Sequence, residues 1–222
     1  MSIASDLDCT NAHFKIYWTQ KNRVLRLLKY IDFSRSDRVA DYGCGNGLLL
    51  DMIADKIGSY DGVDLSADCI QMAERRQRQK AISNAHFYCM SITEFCDCHV
   101  DLYDKAFAID FAEHINDEDF IPIFTSIKRS LKEGGKLYIH TPNGEYIFEL
   151  LKKWGVMQRS EGHVGIRSDA QYRCLLDETG YSCVKIAYVP HYLRYLSYFH
   201  VLSYAPVFGK HFRARLFIEC KR

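Results

Sequence analysis

The chain has 222 residues, of which 48% are hydrophobic and 26% are charged, as in an ordinary globular domain. Its formal net charge of +1 gives no general attraction to nucleic acid, and no apolar run is long enough to span a bilayer. The nine cysteines are scattered, and the N-terminus MSIASDLDCT lacks the pattern of a secretory signal. We therefore expect one cytoplasmic domain, residues 1–222, without a membrane span and acting as a monomer or homodimer.

Helical and strand patterns alternate along most of the chain. An amphipathic helix over residues 13–31 precedes the strand RVADYG, the glycine loop Gly43–Gly47 and the helix LLLDMIADKIG. The strand SYDGVDL and the helix ADCIQMAERRQRQK follow, and then the strands AHFYCM and YDKAFAID. A helix capped by Asn116 runs to Lys132, before the strand KLYIHT, a helix capped by Ser168, and the strands VKIAYVP and RARLFIEC. This alternation predicts an α/β fold with a mainly parallel sheet and helices on both faces.

The glycine loop lies between a strand and a helix, where glycine permits a tight turn and a close approach of the backbone to a ligand. Asp64 ends the next strand, where a carboxylate can accept hydrogen bonds from both ribose hydroxyls. A dinucleotide fingerprint would have a third glycine at the position of Leu48. Asp41, at the end of its strand, would repel pyrophosphate and attract a cationic amino-acid group. These residues favour S-adenosylmethionine as the cofactor.

Four segments resemble, in order, the motifs of class I S-adenosylmethionine-dependent methyltransferases: VADYGCGNGLLL, YDGVDLS, YDKAFAIDFAEHI and LKEGGKLYIHTPN. The resemblance implies a Rossmann-like, seven-stranded sheet whose last strand, RARLFIEC, is antiparallel. It implies a cofactor-binding core over residues 35–190, preceded by a helical cover over residues 1–34.

Carried over residue by residue, the resemblance implies a set of cofactor contacts. The methionine moiety would lie against Asp41 and the glycine loop, and the ribose against Asp64. Leu65 would flank the adenine, together with Ser91 and its neighbour; the family often has Asp in place of this serine. The expected cofactor-binding residues are Asp41, Gly43, Cys44, Gly45, Gly47, Asp64, Leu65, Ser91, Ile92 and Ile109.

The segment IDFAEHIND places Asp110, Glu113 and His114 at i, i+3 and i+4 spacing, which one helical turn would bring to one face. The spacing alone is explained by a structural role, with Asp110 and Glu113 as acids before a helix N-terminus and His114 as a hydrogen-bonded histidine. The ubiquinone-pathway O-methyltransferases and the small-RNA terminal 2′-O-methyltransferases, however, have Glu-x-x-Glu-His here and a later His, and bind a divalent cation with the set. The resemblance implies that Asp110, Glu113, His114 and His163 bind one divalent cation, with Glu113, His114 and His163 also acting in catalysis. A lone histidine base and a structural role are the alternatives.

Residues 191–222 contain six Lys or Arg, one acid and eight Tyr or Phe. We expect an aromatic cover over the substrate pocket followed by the final strand. A membrane-surface segment, a dimer contact and a stacking platform for single-stranded RNA are the alternatives.

The expected function is an S-adenosylmethionine-dependent O-methyltransferase acting on a small-molecule acceptor with neighbouring hydroxyls. An RNA 2′-O-methyltransferase is the alternative enzyme, and the near-neutral charge makes nucleic acid an unexpected partner. A catalytically silent, cofactor-binding partner subunit is the alternative outside enzymes.

Overall fold

A computed structural model of the chain describes residues 21–158, 162–191 and 194–222. One seven-stranded sheet has the strand order β3-β2-β1-β4-β5-β7-β6. Its strands are β1 (Arg38–Tyr42), β2 (Ser59–Asp64), β3 (Ala85–Cys89), β4 (Tyr103–Ile109), β5 (Leu131–Pro142), β6 (Ser182–Val189) and β7 (Arg215–Lys221). Neighbouring strands are parallel except that β7 is antiparallel to both β5 and β6. The predicted Rossmann-like sheet with an antiparallel last strand is confirmed.

Helices lie around this sheet. They are α1 (Leu50–Ile53), α2 (Ala67–Gln79), α3 (Ile92–Cys98), α4 (Asp117–Ser130), α5 (Ile147–Lys153), α6 (Asp169–Glu178) and α7 (Arg194–Ser197), and residues 21–28 are also helical. Segments of 3-10 helix cover Ala112–His114, Tyr198–Tyr204 and Gly209–Phe212. The predicted caps are confirmed: Asn116 accepts a hydrogen bond from the Asp119 amide, and Ser168 forms a capping box with Gln171.

Some helix boundaries differ from the sequence prediction. Only Leu50–Ile53 of the predicted helix LLLDMIADKIG is α-helical, and turns flank it on both sides. The short helices α3 and α5 were not predicted, because seven residues show too little of the helical period. Of the predicted leading helix, residues 13–20 lie outside the described residues, and residues 21–28 are helical.

Two hydrophobic clusters pack on the two faces of the sheet. One contains the stacked rings of Phe120 and Phe124, whose centroids are 3.9 Å apart. The other contains Leu27 of the leading helical segment. Val39 belongs to the second cluster and Ala40 to the first, because successive residues of a strand face opposite sides. The central strands are thus buried on both faces, as in parallel sheets generally.

The strand order reverses beside β1, since β2 and β3 lie on one side of it and β4 and β5 on the other. Ligands of open α/β sheets bind outside the carboxyl ends of the strands at such a point. Asp41 of β1 pairs in register with Phe107 of β4, so the ends of these two strands lie side by side. The loops that follow β1 and β4 therefore carry the candidate site.

Candidate functional site

The glycine loop after β1 has a backbone that requires glycine. Gly43, Gly45 and Gly47 all have positive φ angles, of 70°, 52° and 72°. A Cβ atom on Gly43 would lie 2.7 Å from Cδ2 of Phe111, closer than real contacts allow. The amides of Gly43 and Cys44 donate to the carbonyl oxygen of Val63, at 2.9 and 3.1 Å, which fixes the loop against β2.

Asp64 is the carboxylate that the sequence assigns to the ribose, and it lies at the end of β2 facing the glycine loop. Its Oδ2 accepts a hydrogen bond from the Gly45 amide at 2.9 Å, and its Oδ1 accepts one from the Ser66 amide at 2.9 Å. Each carboxylate oxygen has further lone pairs, so the group can accept additional bonds from a ligand. The carboxylate is therefore held in place before any ligand binds.

Two adjoining cavities open beside the loop, with volumes of about 320 and 540 Å³. Gly43, Gly45 and Asp110 line both. The smaller cavity is also lined by Asp41, Cys44 and Ile109, and the larger by Asp64, Leu65, Ser91 and Ile92. Among the expected cofactor residues, Gly47 lines neither cavity, because it packs against Ala73 and Phe87. The structure thus brings the other expected cofactor residues to two cavities that share Gly43, Gly45 and Asp110 as lining residues.

Ser91 has a structural task at the rim of the larger cavity. Its hydroxyl accepts a hydrogen bond from the Glu94 amide and lies 2.6 Å from Oε2 of Glu94, to which it donates. The Ser91 amide in turn donates to the same carboxylate, which completes a capping box for α3. The hydroxyl is therefore already engaged, at a position where the family often has an aspartate.

Asp41 is a buried carboxyl at the other end of the site, with 3% of its surface exposed. The Tyr60 hydroxyl donates to its Oδ2 at 2.6 Å. Burial raises the pKa of Asp41 to about 7; the hydrogen bond from Tyr60 opposes this shift, and the charge of Asp64 adds to it. A positively charged ligand group beside Asp41 would favour its ionised form.

Asp110 follows β4 and sits in a charged network that sequence reasoning did not find. Its carboxylate pairs with Nη2 of Arg215 and with Nη2 of Arg23, and it lies 3.0 Å from Nδ1 of His140. Burial by itself would raise the pKa of Asp110, but the charge of Arg215, the hydrogen bond with His140 and the charge of Arg23 outweigh it and hold the pKa well below its ordinary value. Asp110 is therefore ionised at neutral pH.

The fully buried His140 links two members of this network. Burial and the charge of Arg215 lower the pKa of His140 to about 4, so the ring is neutral at neutral pH. Nε of Arg215 donates to Nε2 of His140 at 3.1 Å. The ring proton is then on Nδ1, which donates to Asp110. A chain of hydrogen bonds therefore runs from Arg215 through His140 to Asp110, which lines both cavities.

Glu113, His114 and His163 form a second cluster, in which one potential ligand atom from each residue lies within 4.8 Å of the others. Glu113 is only 2% exposed and accepts a hydrogen bond from the Thr141 hydroxyl at 3.2 Å. Burial, with the charge of Asp110, raises the pKa of Glu113 to about 7, although Arg215 opposes the shift. Asp110 lies outside this cluster.

The two histidines of the cluster face each other, with ring centroids 5.0 Å apart and planes at 90°. Nδ1 of His114 lies 3.0 Å from the Gly162 carbonyl oxygen and donates to it, which leaves Nε2 with a free lone pair. Nδ1 of His163 is buried and makes no hydrogen bond with any described residue. Such an arrangement suits ligation of a cation by both rings.

Arg167, 2% exposed, ties together the two segments that carry the cluster. Its guanidinium donates to the carbonyl oxygens of Ala112 and Ile115, at 3.0 and 2.7 Å, and to Oδ1 of Asp117 at 2.7 Å. The Gly165 amide also donates to the Glu113 carbonyl oxygen. The loop of His163 is thereby fixed to the turn of His114. An arginine shortly before a helix cap gave no sequence signal for this role.

The aromatic segment near the C-terminus presents its side chains to solvent. The exposed large apolar residues are Tyr198, Phe199, Val201, Leu202, Tyr204, Val207 and Phe208. None of the described residues beyond 191 lines either cavity at the glycine loop. The prediction that this segment covers a substrate pocket therefore stays a prediction. Across the described residues, no helix has the length and apolar character needed to cross a membrane.

Comparison with known proteins shows the family to which the chain belongs. Residues 17–186 match the family model described as a methyltransferase domain. The ubiquinone biosynthesis O-methyltransferase of Coxiella burnetii is 29% identical over 141 residues, which cover 57% of this chain and 58% of that protein. This chain thus spans little more than half the length of that relative.

Solved structures share the fold at low sequence identity. The YcgJ protein of Bacillus subtilis covers 90% of this chain, and 97% of its own, with a TM-score of 0.68 and 15% identity. The geranyl diphosphate C-methyltransferase of Streptomyces coelicolor, solved with Mg²⁺, geranyl diphosphate and S-adenosyl-L-homocysteine, covers 90% of this chain and 77% of its own, with a TM-score of 0.70 and 18% identity. Since the family model matches most of the chain and the sheet is the expected one, the chain belongs to the class I S-adenosylmethionine-dependent methyltransferases.

Proposed function

We propose that this protein is an S-adenosylmethionine-dependent O-methyltransferase, assisted by a divalent cation, whose acceptor is a small molecule with two neighbouring hydroxyls. The main support for this proposal is the cluster of Glu113, His114 and His163 beside the cofactor cavity. His114 lines the same cavity as Gly43 and Asp64, so the cluster and the cofactor loop border one space.

The residues at the two cavities suit the parts of S-adenosylmethionine. Asp64 can accept hydrogen bonds from the ribose hydroxyls, and Asp41 can pair with the amino group of the methionine moiety. Arg23 lines the smaller cavity with Asp41 and offers a guanidinium for the methionine carboxylate. Leu65, 75% exposed, offers an apolar side chain to the adenine. The cofactor supplies an electrophilic methyl group, and the protein holds and orients it.

The cluster also fits a divalent cation. One carboxylate and two imidazoles are a donor set that suits Mn²⁺, Fe²⁺ or Zn²⁺ better than Mg²⁺. The orphaned Nδ1 of His163 is the kind of buried polar atom that a ligand would satisfy, and the Gly162 carbonyl already fixes the tautomer of His114. A bound cation would lower the pKa of an acceptor hydroxyl.

Two neighbouring hydroxyls are the natural partner for a three-ligand site, because they can occupy two open coordination positions together. The relative from Coxiella burnetii, by its name, methylates oxygen, and this supports oxygen as the methylated atom here. The net charge of +1 supports a small acceptor over RNA.

To test this, purified protein is incubated with S-adenosylmethionine and with catechols, sugars or an RNA oligonucleotide that has a free 3′ end. Methylation is detected by mass spectrometry as the gain of one methyl group. Each catechol is paired with its singly hydroxylated analogue. We expect methylation of the dihydroxy compounds only, and its loss in EDTA. Methylation of RNA alone would favour the RNA enzyme, and cofactor binding without any product would favour the silent subunit.

A matched pair of histidine variants completes this test. His114→Ala should reduce turnover by at least about 100-fold, because it removes one ligand of the cluster. His86→Ala changes a histidine on β3 whose side chain is 70% exposed and should leave turnover unchanged. Equal activity of the two variants would contradict a role for the cluster in catalysis.

A further inference from the structure

Asp110 lies at the junction of the two cavities and lines both. Its φ angle is +51°, in the left-handed region that a residue with a side chain rarely adopts. The backbone is held there in part by its amide, which donates to the His140 carbonyl oxygen at 2.8 Å. Non-glycine residues held in such a conformation cluster at functional sites, where the surrounding structure stabilises them.

The carboxylate of Asp110 joins three elements that are distant in sequence. Arg23 belongs to the leading helical segment, His140 to β5 and Arg215 to β7, and all three pair with it. The side chain of Asp110 is 18% exposed, and those of Arg23 and Arg215 are 21% and 10% exposed, so the network is largely shielded from water. Charge pairs in such surroundings are screened little and hold their geometry.

These contacts distinguish Asp110 from the cluster of Glu113, His114 and His163. A cation bound by Asp110 would compete with two guanidinium groups for the same two oxygens. Arg215 also approaches Oε1 of Glu113, at 3.9 Å, so it stands between Asp110 and the cluster as a positive charge. The two carboxylates of the segment thus differ in their surroundings: Asp110 pairs with both arginines, whereas a carboxylate oxygen of Glu113 lies within 4.8 Å of a ring nitrogen of each histidine.

We propose that Asp110 is a positioning residue and not a ligand: it holds Arg23 at the methionine end of the cofactor cavity, while Glu113, His114 and His163 alone bind the cation. The cation part rests on the proposed function, and the positioning part does not. Arg23 lines the cavity that contains Asp41, and Asp110 is the carboxylate that directs its guanidinium there. Loss of Asp110 should thus weaken cofactor binding and spare cation binding.

The test measures two affinities of the full chain separately. Mn²⁺ alone is titrated and followed by electron paramagnetic resonance, and S-adenosylhomocysteine is titrated by calorimetry in EDTA. Asp110→Asn should bind Mn²⁺ within about threefold of the wild type but S-adenosylhomocysteine about tenfold more weakly. Glu113→Gln should show the reverse pattern. Asp104→Asn, at the other end of β4 and paired with Lys132 at 2.7 Å, is the matched control and should change neither affinity.

A double-variant cycle separates positioning from damage to the fold. Arg23→Gln should weaken the binding of S-adenosylhomocysteine as much as Asp110→Asn does. The double variant should bind it no more weakly than either single variant, because both substitutions remove the same interaction between Asp110 and Arg23. Additive losses, or an unchanged affinity in Asp110→Asn, would overturn the positioning role. Equal losses of Mn²⁺ affinity in Asp110→Asn and Glu113→Gln would make Asp110 a ligand. A wild type that does not bind Mn²⁺ would overturn the metal-assisted function and the cation part, and the cycle would still decide the positioning part.

Discussion

Replacement of Gly43 by alanine tests the geometry on which the cofactor loop depends. Gly43 has φ +70°, and an added Cβ would lie 2.7 Å from Cδ2 of Phe111. The left-handed backbone costs an alanine about 1–2 kcal/mol, and forcing a methyl group against the ring adds about 1–3 kcal/mol. The free energy of unfolding of Gly43→Ala should therefore fall by about 2–5 kcal/mol, measured by urea denaturation with circular dichroism.

Gly45→Ala is the matched control for this prediction. Gly45 also has positive φ, of 52°, but a Cβ there would meet no atom within 4 Å. Its loss should be limited to the backbone part, about 1–2 kcal/mol. Phe111→Leu, combined with Gly43→Ala, should recover part of the steric loss. Equal losses at Gly43 and Gly45, or no recovery with Phe111→Leu, would refute the proposed contact.

Three further predictions concern ligand binding. Asp64→Ala should raise the Kd for S-adenosylmethionine by about 5- to 150-fold in calorimetry, because two hydrogen bonds of about 0.5–1.5 kcal/mol each are lost. Tight binding of NAD in place of S-adenosylmethionine would contradict the cofactor assignment. Burial raises the pKa of Asp41 to about 7, above its ordinary value, so the carboxyl must lose a proton to pair with an ammonium group. Cofactor affinity should thus rise with pH through 7 in the wild type, and Asp41→Asn should remove the Asp41 contribution to this slope. Replacing Tyr204 and Phe208 together by serine should raise the KM for the acceptor and leave cofactor affinity unchanged, since neither lines a cofactor cavity; an unchanged KM, or strong binding of the wild type to neutral vesicles, would argue against a substrate cover.

Features that depend on neighbouring residues could be predicted from the sequence. The alternation of helix and strand patterns predicted the sheet, and the glycine spacing predicted a tight loop, in which Gly43, Gly45 and Gly47 have positive φ angles. The capping residues Asn116 and Ser168 marked helix starts correctly, because their partners lie three residues away. The helix α3 also begins at such a box, but its seven residues were too few to show a period.

Contacts between distant segments could not be predicted in the same way. The pairing of Asp110 with Arg215 depends on the antiparallel insertion of β7 beside β5, which brings Arg215 opposite Pro142. Arg23 reaches the site because its segment packs over the sheet through Leu27. No local pattern around either arginine carries this information. The proximity of His163 to His114 was expected only from the resemblance to a family, since these residues lie on different segments.

The proposed function requires that Glu113, His114 and His163 hold a divalent cation beside the cofactor cavity. Crystals grown with S-adenosylhomocysteine and soaked in Mn²⁺ test this directly, by anomalous diffraction at the manganese edge. We expect one strong peak within coordination distance of all three side chains, with Asp110 still paired with Arg23 and Arg215. The absence of a peak at this cluster while manganese binds elsewhere, or a peak coordinated by Asp110, would contradict it.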